Sequence, residues 1–196
     1  FFTFLVTMQN HGGYSQDWDD FERTVKVEGM DVPRAEAYLT LIKETDNALK
    51  DLISYFEQCD EKTVILMFGD HQPNVETGFL ESLYGKDYER LSEEELSRRY
   101  ITPFVLWANY DIEEERGVQI SANYLCGLLM EAAGLQMSSY LEFLMELYDE
   151  LPVITANFAL DAGESFYSAD RYDELEELLH DYETIQYRLL FDWDIS

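Results

Sequence analysis

The chain predicts an α/β fold, a partly parallel sheet with flanking helices. Three observations carry that reading. Two short apolar runs, residues 1–8 (FFTFLVTM) and 63–68 (TVILMF), have the β-branched and aromatic character of buried strands. Between them, residues 33–58 place Tyr38, Leu41, Ile42, Ala48, Leu49, Leu52, Ile53 and Phe56 at three- and four-residue steps, the stripe of one amphipathic helix. A strand, a long helix and a second strand make a βαβ unit, whose strands should be parallel with a right-handed crossover.

Taken in order, the first run opens at Phe1, without a methionine and already inside a strand-like stretch, so the chain reads as part of something longer. It ends in Gln9-Asn10-His11-Gly12-Gly13-Tyr14, a glycine-bearing loop directly after a strand. Residues 15–32 are polar, with Trp18 and Phe21 among them, and read as a loop placed to line a crevice. Pro33 suits the first turn of the long helix. Asp46 lies at the edge of its stripe, either as an acid just behind a site's own ligands or, more simply, as an exposed or interhelical hydrogen-bonding residue.

The strand at 63–68 leads into Gly69-Asp70-His71-Gln72-Pro73. Open α/β sheets bind ligands in the crevice outside the carboxyl ends of their strands. If the two apolar runs are parallel neighbours, His11 and the Asp70–His71 pair face one crevice. The plainer alternative leaves His11 bonded within its own turn, Asp70 capping the next turn and His71 an ordinary loop histidine.

Further along, residues 76–100 read as short acidic helical pieces, with Ser92 and Glu95 spaced as a capping box. Residues 101–108 form a third strand with Pro103 near its start. Helices follow over 121–130, closed near Gly134, and over 138–149, where Tyr140, Leu141, Leu144, Met145 and Tyr148 make a core stripe. Residues 151–155 are extended. A last helix over 170–191 turns Tyr172, Leu175, Leu178, Leu179, Tyr182, Ile185 and Leu189 inward and leaves His180 among solvated acids. Residues 1–155 and an acidic helical tail, 156–196, are assigned to one domain.

Composition bounds the chemistry. With 46% apolar residues the chain can bury a core, while 41 acidic against 13 basic residues give a formal charge of −28. That charge repels nucleic acid and anionic lipid surfaces, so a phosphate-bearing substrate held here needs a cation. A carboxylate beside an imidazole suits a divalent transition metal, though a catalytic centre of the zinc type needs about three protein ligands and an open position. No window of about 20 apolar residues could span a bilayer. Cys59 and Cys126 match no metal-knuckle spacing and are either free thiols or one disulfide.

Together, Thr7-Met8-Gln9-Asn10-His11-Gly12-Gly13-Tyr14, the helix from Tyr38 with Asp46 eight residues on, Phe68-Gly69-Asp70-His71-Gln72-Pro73, Ile101-Thr102-Pro103-Phe104 and Ser121-Ala122-Asn123-Tyr124 resemble the carboxyl-terminal part of lipoteichoic-acid synthase-like proteins. These are phosphoglycerol transferases in the sulfatase branch of the alkaline phosphatase superfamily. The resemblance implies a portion of an α/β/α sandwich. It also implies a divalent ion, commonly Mn²⁺, with Zn²⁺, Mg²⁺ or Ca²⁺ as alternatives, held by residues matching Asp70 and His71. A glutamate and a nucleophilic threonine from the amino-terminal half complete that set. The histidine matching His11 contacts the phosphoryl group or the leaving oxygen. Glycerol phosphate passes from phosphatidylglycerol to the threonine and on to a polymer outside the cell membrane, with membrane attachment through the amino-terminal part.

Two features depart from the pattern. Gly13 stands where many relatives have proline, and no threonine here can be named as nucleophile: Thr3 and Thr7 fall inside one expected strand and Thr63 starts another. Alone, such a chain is expected to be inactive. A sulfatase or phosphodiesterase of the same superfamily is the alternative reading, and a non-catalytic α/β module whose acidic surface binds a basic partner is a second.

Overall fold

Pro33 begins the longest element, α1 (Pro33–Phe56), in a computed structural model that describes residues 1–14 and 21–191. Trp18, expected in a crevice-lining loop, lies outside the described residues. The chain divides into two compact units, residues 1–63 with 67–104 and residues 64–66 with 105–196. The mixed α/β class holds.

In the first unit α1 buries Ala35, Ala37, Thr40 and Leu41. The expected stripe does not stay covered beyond them: Ile42, Ala48 and Leu52 are exposed, and so is Asp46. Strand β1 (Val64–Phe68) pairs with a later strand, β2 (Phe104–Ala108), and residues 64–66 and 105–108 of this pair group with the second unit. The Gly69 N–H donates to the Pro103 carbonyl at 3.1 Å, which puts the exit of β1 beside the entrance of β2, so the two run in opposite senses. Between them lie α2 (Thr77–Tyr84), closed by Gly85 at φ 64°, and α3 (Glu93–Ser97). The Ser92–Glu95 capping box forms as its spacing predicts, with both reciprocal bonds present.

The strand expected over residues 1–8 does not form. These residues have no regular structure and all are exposed, Phe1, Phe2, Phe4 and Leu5 among them. β-prone side chains make a strand only where a ladder partner and a covering face exist, and no described strand pairs with this run. The parallel crossover built on it therefore does not operate among the described residues.

The second unit holds the main core. A 3₁₀ turn and α4 (Leu125–Ala132) lead through Gly134, at φ 62°, to α5 (Ser139–Glu150), which Ser138 caps by accepting from the Leu141 N–H. An antiparallel meander follows: β3 (Val153–Ile154), β4 (Phe158–Leu160) and β5 (Phe166–Ser168), with Val153 opposite Leu160 and Phe158 opposite Ser168. A 3₁₀ segment then enters α6 (Glu176–Phe191).

Tyr124, Leu144, Leu147, Leu151, Ala159, Leu175, Leu179 and Tyr182 form one buried cluster. Helices α4 and α5 pack closely enough that a Cβ on Gly127 would run into Met145. Tyr182 is the last buried residue of α6 and Ile185 is half-buried beyond it; Leu189, expected to face inward, is exposed, while His180 is exposed as expected. Cys59 and Cys126 form no disulfide. Among the described residues, no helix is long and apolar enough to cross a membrane.

Candidate functional site

The chemistry-bearing residues of the first unit sit on two loops, and α1 carries both. The first loop follows residues 1–8. His11 N–H donates to the Met8 carbonyl at 3.1 Å, closing a turn that leaves the His11 side chain exposed. Three side chains fasten this turn to the helix. Gln9 donates to the Leu41 carbonyl at 3.4 Å, and Asn10 exchanges bonds with the Thr45 hydroxyl at 2.8 and 3.1 Å. Tyr14 packs on Ala37 and Leu41, meets the Tyr38 ring edge-on and donates its hydroxyl to the Asn10 carbonyl at 2.5 Å.

Gly13 adopts φ 113°, a conformation closed to proline, whose ring fixes φ near −65°. The departure from the family's proline is therefore built into how this turn runs.

The second loop leaves β1 at Gly69, where a Cβ would approach Thr102 Cβ at 3.1 Å. A side chain there would push Thr102 back by a few tenths of an ångström, and the Thr102 hydroxyl uses the proximity to donate to the Gly69 carbonyl at 2.8 Å. Gln72 donates to the Ile101 carbonyl and Arg99 to the Pro73 carbonyl, so segment 99–103 braces the turn from one side. From the other, Glu76 accepts from the Arg34 and Ala35 N–H groups at the start of α1, at 2.8 and 3.0 Å. Burial alone would raise the Glu76 pKa, but these backbone bonds and the Arg34 charge outweigh it and hold it below the usual carboxylate range.

Between these braces Asp70 and His71 stand in solvent, their side chains 85% and 71% exposed. The His71 N–H donates to Asp70 Oδ1 at 2.9 Å, so Asp70 does brace its own turn as the plainer reading anticipated. His71 Nδ1 lies 3.0 Å from the Gln72 carbonyl. A carbonyl can only accept, so Nδ1 carries the hydrogen and Nε2 is the free nitrogen.

Nε2 faces Asp70 Oδ2 at 3.5 Å. That spacing would let both atoms ligate one ion. Tetrahedral ligands at zinc-type bond lengths are themselves about 3.4 Å apart. A ligating histidine also normally gives its other N–H to a carbonyl or carboxylate, as here. The donors thus fit a divalent ion. They remain two: among the described residues, no group of three or more His, Cys, Asp and Glu side chains converges on one point.

Burial raises the Tyr14 pKa, and Tyr38 and the Asp70 charge raise it further, which places the Asp70 carboxylate within electrostatic reach of the His11 turn. Sequence reasoning singled out Asp70, His71 and His11 but not the residues that brace their loops: Thr45, Thr102, Arg99 and Glu76. The glycine before Asp70 was the one local hint of a close approach.

In fold, the chain is similar to the Streptococcus pyogenes phosphoglycerol transferase GacH, solved in complex with sn-glycerol-1-phosphate, with a TM-score of 0.63, 20% identity and coverage of 93% of this chain. In sequence it is 30% identical over 200 residues to a Rhizobium meliloti (strain 1021) protein assigned to cyclic beta-1,2-glucan modification, covering 97% of this chain. It spans 42% of the first protein's length and 31% of the second's. The sulfatase family profile matches residues 1–135, well over half of the chain, and this protein belongs to the sulfatase family.

Proposed function

We propose that these residues form the metal-bearing carboxyl-terminal part of a divalent-metal-dependent phosphoglycerol transferase, with Asp70 and His71 as two of the ion's ligands and His11 beside the transferred phosphoryl group. The observation that carries this is the Asp70–His71 geometry: an Nε2 freed by the Nδ1–Gln72 bond and aimed at a carboxylate oxygen 3.5 Å away. An ion held there supplies neutralising charge and lowers the pKa of a hydroxyl nucleophile. Manganese is the ion we assign.

We assign the remaining ligands and the nucleophilic threonine to the amino-terminal half that the family resemblance implies; among the described residues no group of three or more His, Cys, Asp and Glu side chains converges. To His11, exposed on a turn fixed to α1, we assign the role of general acid for the departing oxygen. A net charge of −28 makes a cation necessary for any phosphate-ester substrate. The glycerol phosphate bound by GacH supports that substrate class. The glucan relative supports a saccharide hydroxyl as acceptor on an envelope polymer. The site works on the outer face of the cell membrane, on phosphatidylglycerol, with attachment through the amino-terminal part.

The full-length protein is expected to bind Mn²⁺ and transfer glycerol phosphate. Asp70→Ala and His71→Ala each abolish both, and residues 1–196 alone show no turnover. Unchanged metal content in the two variants would overturn the assignment. The sulfatase match favours one second reading, hydrolysis by the same site. Release of free glycerol phosphate without transfer to any saccharide would select it.

A further inference from the structure

Glu76 does something the sequence around it does not require. Its backbone starts α2, with the Phe79 N–H donating to its carbonyl at 3.1 Å, while its side chain reaches back more than forty residues to cap another helix. Helix α1 has Val32 at its N-cap position and no side-chain cap of its own. The first N–H groups of a helix have no partner within it, and here the two Glu76 oxygens take those of Arg34 and Ala35 at 2.8 and 3.0 Å. Arg34 Nε stands 3.4 Å from Oε1, and a further Arg34 nitrogen donates to Asn74 Oδ1 at 3.4 Å. Beside this polar clamp Val75 is buried with Val32 and Ala35. The segment leaving His71 therefore ends on the first turn of α1.

The His11 turn is fastened to the same helix at Leu41 and Thr45. From Arg34 to Thr45 the helix advances about 16 Å, at roughly 1.5 Å per residue. One rigid rod thus holds an attachment point from each loop.

We infer that Glu76 is a positioning residue for the Asp70–His71 pair: its clamp fixes the loop bearing these donors to the helix that also holds the His11 turn. This rests on the metal reading proposed above. Supports one shell outside a metal's ligands typically change its affinity by about 10- to 100-fold when removed. A clamp several residues from the ligands belongs at the lower end of that range.

The test is Mn²⁺ titration of the full-length protein, followed by the electron paramagnetic resonance signal of the free ion, with hydrogen exchange at the Arg34 and Ala35 amides read in parallel. Glu76→Ala is expected to weaken Mn²⁺ binding about 10-fold and speed exchange at both amides. Glu76→Gln keeps one acceptor oxygen and is expected to fall between, which covers the case of an Ala variant that does not fold. Glu36→Gln loosens a different tie to the same helix, the bonds from Lys26 and the Val27 N–H, and is expected to leave Mn²⁺ affinity unchanged.

Faster exchange with unchanged Mn²⁺ affinity in both Glu76 variants would overturn the inference and leave the metal reading standing. Equal weakening by Glu36→Gln would reduce Glu76 to general support of α1 and would also overturn it. A wild-type protein that binds no Mn²⁺ overturns the metal reading itself, and the inference with it.

Discussion

Residues 105–191 and the loops around α1 hold themselves together by opposite means. The first region closes over a continuous apolar cluster, with Tyr124 and Leu151 fully buried at its centre. In the second, burial is confined to two small clusters, and the shape comes from polar ties that skip far along the chain: Asn10 to Thr45, Val25 to Thr40, Glu76 to Arg34 and Ala35. The difference suits their tasks. A core resists change by excluding water, whereas a site must leave its reacting groups in solvent and fix them from behind. Asp70 and His71 stand in solvent, with their supports lying beneath them.

That contrast can be broken by substitution, and the largest effect should come from the core. Leu147→Ala removes a side chain that is 5% exposed and should cost about 2–5 kcal/mol, read by denaturant unfolding. A loss below about 1 kcal/mol would mean that the cluster is not the main source of stability. Ser121→Ala comes next. This hydroxyl accepts from the Ile154 N–H at 2.8 Å and donates to its carbonyl at 2.9 Å, tying the start of α4 to β3. Orphaning both groups should cost about 1–3 kcal/mol in the same assay.

Alkali probes the contrast without mutation. Burial raises the pKa of Tyr124 furthest, and raises those of Tyr148, Tyr172 and Tyr182 as well. A raised pKa in the folded state means that the stabilisation is complete below the free tyrosine value of about 10 and is lost as pH climbs above it. Helical circular dichroism should therefore be lost as pH climbs above about 10. Ellipticity that stays constant well above that pH would show that these hydroxyls ionise without unfolding.

The smallest effect belongs to the site. Asp70→Ala or His71→Ala should move unfolding stability by no more than about 0.5 kcal/mol, both side chains being exposed. A larger loss would mark the pair as structural.

What the sequence made legible follows the range of each interaction. α1, β1, α5 and the Ser92–Glu95 box rest on spacings of a few residues, and each forms close to where the pattern placed it. Residues 1–8 satisfied every local criterion for a strand and still formed none, because a strand is a property of a pair. Strands β4 and β5 went unseen for the opposite reason: three residues each, they have no period to read and are defined by their partners. At the site, the adjacency of Asp70 and His71 was plain. Bonds such as Asn10–Thr45 and Glu76–Ala35, some forty residues apart, left no local trace.

The tight passage of Gly69 against Thr102 ties the fates of two positions. A methyl group added at 69 lands on the threonine's branched carbon, and trimming 102 to make room removes the hydroxyl that steadies the 69 carbonyl. A change at 69 thus has to be met by a small shift of 102, and a change at 102 removes a bond to 69. Among natural variants of this segment the two should change in concert or stay put, so a library varied at either site alone should return mostly the parental pair.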